Sequence, residues 1–426
     1  MAESARESAP ASEPAQSNRE QAPSARNQID PASLTGPVWT AARAVIAHLR
    51  SAGHEAQAVG GAVRDLVLGR PVHDVDVATD AVPDRVEALF PRTVAVGKAF
   101  GVVIVLQGDQ AVEVATYRAD GPSSDGRRPD AVRFGDVVED VRRRDLTINA
   151  LLMDPETGRI SDLVGGLADL RAGLVRTVGD PLARFSEDRL RLLRALRFAA
   201  HLGFTIEPQT WTGLVAVPLT GLSAERIIQE WDKALAGPHP ERWLALLGDS
   251  GRLTEALPLR QASAATLARL ARIRPGDHPD LAAAVCLSDA DPAERQGWLE
   301  RQPLAKDRAR RLAWLWDNAS DPERLIALPI PARRRLFQQN DATLLADLLV
   351  RWHGPSAAVQ NLIDQIGAER QAAFTTWITA SDLLGLGMTP GPALGRTLRS
   401  LEDRQLSGEF PDRVAALAAA RVMAAG

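Results

Sequence analysis

The stretch of sequence that decides the fold is residues 59–81, VGGAVRDLVLGRPVHDVDVATDA. It opens on Gly60-Gly61, and glycine lets the backbone turn tightly and lets a bound group approach the peptide N–H groups. The residues AVRDLVLG then predict a short helix ending at Gly69, and a helix N-terminus favours phosphate. The segment DVDVAT alternates charged and apolar residues, which predicts a half-buried strand.

Two aspartates, Asp74 and Asp76, carry the chemistry of that strand. Side chains two residues apart share one face of a strand, so both carboxylates point the same way. Adjacent carboxylates repel each other and favour a divalent cation between them, and Mg²⁺ prefers oxygen ligands and substrate phosphates. The order Gly-Gly, helix and Asp-x-Asp strand therefore predicts a metal-dependent site for a nucleoside triphosphate.

Each half of this pattern has an ordinary explanation when it stands alone. A Gly-Gly pair is usually a turn, and an Asp-x-Asp pair at a strand edge is usually solvated. The stretch has no Gly-Lys-Ser/Thr of a Walker loop, and no Gly-x-Gly-x-x-Gly of a dinucleotide site follows a strand. In order and spacing, the combined pattern resembles the nucleotidyltransferase superfamily that includes DNA polymerase β.

Composition limits the class of protein. The 426 residues are too many for one core and predict about two to four domains. The formal net charge of −4 means that any RNA contact must come from local basic patches. The single cysteine, Cys286, excludes a disulfide within the chain and lies in an apolar stretch that predicts a buried thiol. No apolar run predicts a membrane span or a signal peptide, so we expect a cytoplasmic location.

Four parts follow from the pattern along the chain. Residues 1–33 nearly lack large apolar side chains, which predicts a disordered tail. Residues 34–177 alternate helical and strand patterns and predict an α+β head. The helical remainder is divided into a neck over 178–245 and a body and tail over 246–426. Eight of the nine tryptophans lie in this remainder beside apolar neighbours, so we expect them mostly in the core.

Further candidate residues lie on another predicted strand and in the segment 141–154, VRRRDLTINALLMD. Glu113 on that strand either completes a carboxylate site or pairs with an arginine across the sheet. The three arginines of the segment can bind phosphates bidentately. Asp145 and Asn149 share a face if the segment is helical, where they can contact ribose hydroxyls. The alternative is a helix start that is capped by Asp145.

A third candidate segment is residues 179–204, GDPLARFSEDRLRLLRALRFAAHLGF. Ser186 followed by Glu187 and Asp188 is typical of a helix N-terminus with acids in its first turn. Arg191 lies within one helical turn of both acids, and surface ion pairs of this kind contribute little. Alternatively, a carboxylate beside a guanidinium can imitate the Watson–Crick face of a nucleotide and select an incoming base.

With these segments in one order, the chain resembles the class II tRNA nucleotidyltransferases, the CCA-adding enzyme family that also contains bacterial poly(A) polymerases. The resemblance covers residues 55–235 and implies a polymerase β-like α+β head followed by an all-α neck, body and tail. It implies that Asp74, Asp76 and Glu113 are catalytic and that the two aspartates bind the metal. A further motif around Glu230 is implied to brace the helices behind the site. The residues implied to bind the nucleotide are Gly60, Gly61, Arg64, Arg144, Asp145, Asn149, Asp180, Arg184, Glu187, Asp188, Arg191 and Arg194.

The activity implied by the resemblance is template-independent addition of CCA to tRNA. The terminal ribose hydroxyl of the tRNA attacks the α-phosphate of CTP twice and then of ATP, with Mg²⁺ as cofactor and with Asp188 and Arg191 pairing with the base. No membrane and no obligate protein partner is expected. The stretch 118–134, RADGPSSDGRRPDAVRF, resembles the flexible loop that complete CCA-adding enzymes use to change from CTP to ATP. Its loop residues are Asp125, Arg127 and Arg128.

Three alternatives stay open at this level: an enzyme that adds only A, a poly(A) polymerase, and a catalytically silent RNA- or nucleotide-binding module. The loop favours complete CCA addition or A addition alone, because members that add only CC have it shortened. The acidic net charge and the absence of a dense basic stretch in residues 96–110 disfavour a poly(A) polymerase. The intact carboxylates disfavour a silent module.

The helical body carries two basic clusters that we expect to bind the tRNA elbow and acceptor stem, although charge runs are more often solvated faces. Charge reversal in the second cluster is expected to weaken tRNA binding and to lower its salt dependence. The clusters are Arg301, Lys306, Arg308, Arg310 and Arg311, and Arg333, Arg334 and Arg335.

Overall fold

The computed structural model describes residues 27–95, 98–120, 132–371 and 374–425. The chain divides into two units, of which the first comprises the described residues up to Arg191 together with Phe204–Gly213. The second unit comprises Leu192–Gly203 and the described residues from Leu214 onward. The division falls inside the helix Leu190–Leu202. The predicted loop residues Asp125, Arg127 and Arg128 lie outside the described residues.

A seven-stranded mixed sheet forms the centre of the first unit. The strands of the chain are β1 (Ala56–Val59), β2 (Asp76–Thr79), β3 (Thr93–Val94), β4 (Val102–Gln107), β5 (Gln110–Thr116), β6 (Arg118–Asp120), β7 (Val132–Phe134), β8 (Leu152–Met153), β9 (Ile160–Ser161), β10 (Leu174–Val175) and β11 (Thr205–Ile206). The order in the large sheet is β3-β4-β5-β2-β1-β8-β9, with β2 and β5 parallel. Strands β6 and β7 pair with each other, as do β10 and β11.

Helices of the first unit and its boundary begin where the sequence supplies caps and prolines. They are α1 (Pro37–Ser51), α2 (Gly61–Val67), α3 (Pro83–Leu89), α4 (Val137–Arg142), α5 (Gly166–Ala172), α6 (Pro181–Glu187), α7 (Leu190–Leu202) and α8 (Pro208–Ala216). Proline at the first helical position of α1, α3 and α6 suits a site where the N–H has no helical partner. Gly108-Asp109 forms the hairpin turn between β4 and β5.

The strand predicted over DVDVAT is shorter than expected. β2 begins at Asp76, which pairs with Val59 at the end of β1. The backbone of β1 turns away at Gly60, where φ is +77°. Asp74 therefore lies in the segment that leads into β2 and not on the strand itself.

The boundary of the predicted disordered tail is also wrong, because residues 27–33 are packed. Ile29 is buried and donates its backbone N–H to the carbonyl of Gly158 at 2.9 Å. Gln28 forms a β-bridge with Arg159 beside β9. One apolar side chain and an open sheet edge are enough to order this short segment, which the polar composition concealed.

The second unit is helical. Its remaining helices are α9 (Ala224–Leu235), α10 (Pro240–Asp249), α11 (Leu253–Ala256), α12 (Ala264–Leu270), α13 (Pro279–Cys286), α14 (Pro292–Arg301), α15 (Lys306–Ala319), α16 (Pro322–Ala327), α17 (Ile330–Phe337), α18 (Ala342–His353), α19 (Ala357–Gln371), α20 (Ala380–Gly385), α21 (Pro392–Leu406) and α22 (Arg413–Ala425). The expected core tryptophans Trp231, Trp243 and Trp316 are almost fully buried, as is Cys286. No helix in the described part of the chain is long and apolar enough to cross a membrane.

Both basic clusters of the body are engaged in ion pairs within the chain. Arg308 on α15 pairs with Asp232 and with buried Asp280, each at 2.7 Å, and Arg311 pairs with the other oxygen of Asp280 at 2.8 Å. In the second cluster the partners lie on other helices or in loops: Arg334 pairs with Glu369 at 2.7 Å, Arg335 pairs with Glu402 at 3.3 Å, and Arg333 donates to the carbonyl of Ile326 at 2.9 Å. These contacts give the clusters a structural role, and their predicted contact with tRNA stays a prediction.

Candidate active site

Three carboxylates meet at the start of the parallel strand pair. Val77 of β2 lies opposite Val114 of β5, so the preceding residues, Asp76 and Glu113, occupy neighbouring positions on adjacent strands. Asp74 lies two residues before Asp76 and is exposed, whereas Asp76 is half-buried. The parallel register thus brings together the three residues that the sequence predicted as catalytic.

Electrostatics reflect this arrangement. Burial, followed by the charges of Glu113 and Asp74, raises the pKa of Asp76 to about 7, and Arg144 opposes the shift. Desolvation and then the charge of Asp74 raise the pKa of Glu113, although that residue keeps an exposed surface. The three carboxylates therefore repel one another across short distances.

The donor set suits a hard divalent cation. Carboxylate oxygens are the ligands that Mg²⁺ prefers, and a cation among these three groups would remove their mutual repulsion. Within the described residues, no three His, Cys, Asp or Glu side chains are arranged so that they could together hold a metal ion, and the metal is therefore assigned to carboxylates and substrate phosphates in combination. The site therefore fits a metal by its chemistry and its charge.

Beside the carboxylates, Gly60 makes the turn from β1 into α2. Its backbone N–H donates to the carbonyl of Leu151 at 3.0 Å, and its φ of +77° is a conformation that L side chains rarely adopt. A Cβ here would also lie 3.6 Å from Nη1 of Arg144 and 3.8 Å from the carbonyl oxygen of Asn149. The positive φ is therefore what favours glycine at this position, since contacts of 3.6 and 3.8 Å would leave room for a Cβ.

Arg64 and Asn149 form a buried polar contact beneath this turn. Arg64 is 8% exposed and donates from Nη1 to Oδ1 of Asn149 at 2.5 Å, while Asp65 accepts from its Nε and Nη2. Nδ2 of Asn149 donates in turn to Asp145 at 3.4 Å. Asp145 and Asn149 meet without an α-helix between them, since Thr147–Asn149 is a 3₁₀ turn. The N-cap of that turn is Leu146, so the alternative in which Asp145 caps a helix is wrong.

Sequence reasoning missed Asp140, which is 1% exposed. Its Oδ1 accepts from Nη2 of Arg143 at 2.7 Å and its Oδ2 accepts from Nη2 of Arg144 at 2.9 Å. Burial alone would raise the pKa of Asp140, and Arg144 and Arg143 together hold it below its usual value. Spacings of three and four residues from an acid to two successive arginines are the signal from which this pairing was predictable.

The third segment forms a guanidinium cluster, but its helix boundaries differ from the prediction. Asp180 caps α6, accepting from the backbone N–H of Ala183 at 2.8 Å, so Ser186 and Glu187 end that helix instead of starting the next one. Asp188 adopts extended backbone angles and separates α6 from α7. The stronger Asp-Pro start six residues earlier decides the boundary.

Arg184 and Arg191 nevertheless converge on the same acceptors. Both arginines donate to the carboxylate of Glu187, and the distance from Arg191 is 2.9 Å. Both also donate to the backbone carbonyl of Arg143, and the distance from Arg191 is 3.1 Å. Arg184 also donates to the carbonyl of Arg144 at 3.1 Å. In the second unit, Arg194 lies 3.9 Å from the buried Glu230, which Arg197 contacts at 2.6 Å.

A mixed sheet with a Gly-Gly turn, two aspartates on or before one strand and a glutamate on its parallel neighbour defines the class of nucleotidyltransferases. Comparison with known proteins agrees. The model of the family "Poly A polymerase head domain" matches residues 56–176, and that of "Probable RNA and SrmB- binding site of polymerase A" matches residues 203–262.

Individual relatives are more specific. The chain is 36% identical to the CCA-adding enzyme of Levilactobacillus brevis, over 89% of this chain and 96% of that enzyme. It is 47% identical to the CCA-adding enzyme of Geobacillus thermodenitrificans, over 51% of this chain and 54% of that enzyme. It also resembles the crystal structure of the Bacillus stearothermophilus CCA-adding enzyme in complex with CTP, with a TM-score of 0.77, 29% identity, and coverage of 91% of this chain and 99% of that one. The chain belongs to the CCA-adding enzyme family of tRNA nucleotidyltransferases.

Proposed function

We propose that this protein adds CCA to the 3′ end of tRNA from CTP and ATP, without a nucleic-acid template and with release of pyrophosphate. The observation that carries the proposal is the convergence of Asp74, Asp76 and Glu113 beside the Gly60-Gly61 turn, in the same unit as the guanidinium cluster of Arg184 and Arg191. The relatives named as CCA-adding enzymes support it, including the one whose structure holds CTP.

The residues of the chain divide the work between the two ends of the nucleotide. Gly61 and the first turn of α2 offer backbone N–H donors to the triphosphate, whereas the N–H of Gly60 is taken by the carbonyl of Leu151. Arg144 lies against the same turn, where its positive charge suits phosphate oxygens. Arg64 holds Asn149 in place for the sugar. Asp188 and Arg191 offer an acceptor and a donor edge to the base, with Arg184 and Glu187 packed beside them.

Asp74 and Asp76 are the proposed metal ligands, with Glu113 next to them, and Mg²⁺ is the ion that their oxygen donors suit. A divalent cation held there lowers the pKa of the attacking ribose hydroxyl and neutralises charge on the leaving pyrophosphate. The protein's own contribution is to hold the reactants in position in a charged site that is ready before the reaction. A cytoplasmic location stays a prediction from the sequence.

Complete CCA addition is the form of the activity that we favour. Against addition of CC alone, the support is the uninterrupted length of the stretch that contains Asp125, Arg127 and Arg128, because members that add only CC have it shortened. Against addition of A alone, the support is the relatives over most of the chain that are named as CCA-adding enzymes. The division of the helical part into neck and body is likewise a proposal from the sequence.

The test is a gel extension assay on three tRNA transcripts, ending before CCA, after C and after CC. Each transcript is given CTP, ATP or both with Mg²⁺. With both nucleotides present, the wild-type protein should extend each transcript to a complete CCA end and stop. The Asp74→Ala/Asp76→Ala variant should lose at least about 100-fold in rate, because removal of a single preorganised electrostatic group already costs that much. Asp109→Ala, an exposed carboxylate in the β4–β5 turn, is the matched control and should extend normally.

Other outcomes point elsewhere. A single A on the CC transcript alone would mean an A-adding enzyme, and long A tails would mean a poly(A) polymerase. If nucleotide is bound and no transcript is extended, the protein is a binding module and the proposal fails.

A further inference from the structure

We infer that Asp140 is a positioning residue that holds the triphosphate end and the base end of the nucleotide site in one arrangement. The inference rests on the proposed function and deepens it. Nothing in the motif pattern singled out this aspartate, and it touches none of the reacting groups. Its role follows from what its two oxygens hold.

The first part of the argument is the geometry at Asp140 itself. Each oxygen takes one guanidinium: Oδ1 accepts from Nε and Nη2 of Arg143 at 2.9 and 2.7 Å, and Oδ2 accepts from Nε and Nη2 of Arg144 at 3.3 and 2.9 Å. In each contact, two nitrogens of one guanidinium donate to the same carboxylate oxygen. This arrangement determines the direction of the guanidinium as well as its distance. Asp140 is buried on α4, and that helix is fixed at its start by a capping box formed by Asp136 and Glu139.

One of the two arginines reaches the triphosphate end. Nη1 of Arg144 lies 3.5 Å from the carbonyl oxygen of Asn149 and 3.6 Å from the place a Cβ would take on Gly60. Its charge also acts on Asp76. With Nε and Nη2 held by Asp140, the remaining nitrogen of the guanidinium is directed at the phosphate-binding turn.

The backbone that carries both arginines reaches the base end. The carbonyl of Arg143 accepts from Nη2 of both Arg184 and Arg191, and the carbonyl of Arg144 accepts from Arg184 at 3.1 Å. Because Asp140 anchors the side chains of residues 143 and 144, it also fixes where these two carbonyls stand. The guanidinium beside the proposed base-reading edge is therefore oriented by the same carboxylate as Arg144.

A merely structural ion pair would have a different effect, and the chain contains a matched example. Asp280 is 2% exposed and likewise receives one arginine on each oxygen, Arg308 at 2.7 Å and Arg311 at 2.8 Å. It belongs to the second unit, and its partners are not among the proposed nucleotide-binding residues. Asp280→Asn therefore removes the same kind of contact without touching the proposed nucleotide site. Because Arg308 and Arg311 belong to the predicted tRNA-binding cluster, the nucleotide KM of each variant is compared at saturating tRNA.

The test compares Asp140→Asn, Asp140→Glu and Asp280→Asn in the full chain. For each variant we would measure the urea midpoint of unfolding, the KM and kcat for CTP and ATP on transcripts ending before CCA and after CC, and the extension with UTP or GTP alone. Both asparagine variants should lower the midpoint. Only Asp140→Asn should raise KM for both nucleotides, by at least about tenfold, since it weakens charge-assisted contacts at both ends. It should also increase misincorporation of UTP.

Asp140→Glu keeps the charge but moves the carboxylate by one methylene. It should fold like the wild type. Its KM for both nucleotides should lie between those of the wild type and Asp140→Asn, and it should still misincorporate more UTP than the wild type. If Asp140→Asn does not fold, this variant decides the question by the same two readouts.

Two results would overturn the inference: KM and misincorporation unchanged in the folded Asp140 variants, or changes of the same size in Asp280→Asn. Failure of the proposed function looks different, because the wild-type protein would then extend no transcript. If the wild type extends its transcripts while the two aspartate sites behave alike, only the positioning role is wrong.

Discussion

Replacing Gly237 with alanine is expected to destabilise the second unit, because the ring of His201 occupies the space that the added methyl group needs. An ideal Cβ on Gly237 would lie 1.9 Å from Nε2, 2.2 Å from Cδ2 and 2.7 Å from Cε1 of His201. Carbon atoms pack favourably at about 3.5–4.0 Å, so the ring has to move. The backbone of Ala234 and Lys233 hydrogen-bonds this ring, and displacement breaks those contacts.

The expected loss follows from these contacts. Overpacking of a buried site costs about 1–3 kcal/mol, and each hydrogen bond lost adds ~1 kcal/mol. Substituting alanine for glycine returns about 0.4–1 kcal/mol, because φ is not positive here and the unfolded chain loses freedom. With two hydrogen bonds lost, we therefore expect the free energy of unfolding of the second unit to fall by about 3 kcal/mol.

The assay is urea denaturation followed by tryptophan fluorescence, which the buried Trp231 and Trp243 make sensitive to this unit. Gly367→Ala in α19 and Gly395→Ala in α21 are matched controls, since a Cβ at either position meets nothing within 4 Å. Both should stabilise by about 0.5–1 kcal/mol, the propensity difference between glycine and alanine in a helix.

Two observations would contradict this reasoning. One is a loss at Gly237→Ala below about 0.5 kcal/mol, which is the range of an ordinary surface substitution. The other concerns the double variant with His201→Ala, where removal of the ring should relieve most of the clash. Additive effects of the two substitutions would show that the ring is not what the methyl group meets.

Two further predictions concern charge. Burial and then Arg197 lower the pKa of His201 from 6.5 to about 4, so between these pH values the unfolded chain binds a proton that the folded chain does not. Lowering the pH from 6.5 to about 4 should therefore reduce the free energy of unfolding of the wild type by on the order of 3 kcal/mol more than that of His201→Gln. If the difference in unfolding free energy between the two proteins does not change with pH, the histidine is not buried as described. Arg334→Met should lower the unfolding midpoint by breaking the 2.7 Å pair with Glu369, and it should make the salt dependence of tRNA binding in a filter assay shallower, as the predicted contact with tRNA requires. An unchanged salt dependence would leave Arg334 with a structural role only.

Much of the head was predictable because its signals are short-range. The Gly60-Gly61 turn, the strand that starts at Asp76 and the hairpin at Gly108-Asp109 each depend on residues a few positions apart. Turn chemistry and the two-residue period of a strand act over that distance. The family resemblance was predictable for the same reason, since its motifs are short segments in a definite order.

Competition between local signals caused the errors. Ser186 has the chemistry of a helix start, but the Asp180-Pro181 pair begins its helix earlier and leaves Ser186 in the last turn. Residues 27–33 have the composition of a disordered tail, but Ile29 finds a buried place beside Gly158. A local pattern contains no information about the partner that decides such a case.

Tertiary structure alone decided which charges face one another. Asp76 lies beside Glu113 only because β2 and β5 pair in parallel with one register. The positioning role inferred for Asp140 depends on α6 and α7, which place Arg184 and Arg191 against the carbonyl of Arg143. Ion pairs and strand registers join residues that are far apart in sequence, and their energy depends on burial and direction that the fold creates. The sequence by itself therefore determined the kinds of groups at the site, and packing determined their distances, their charges and which of them act together.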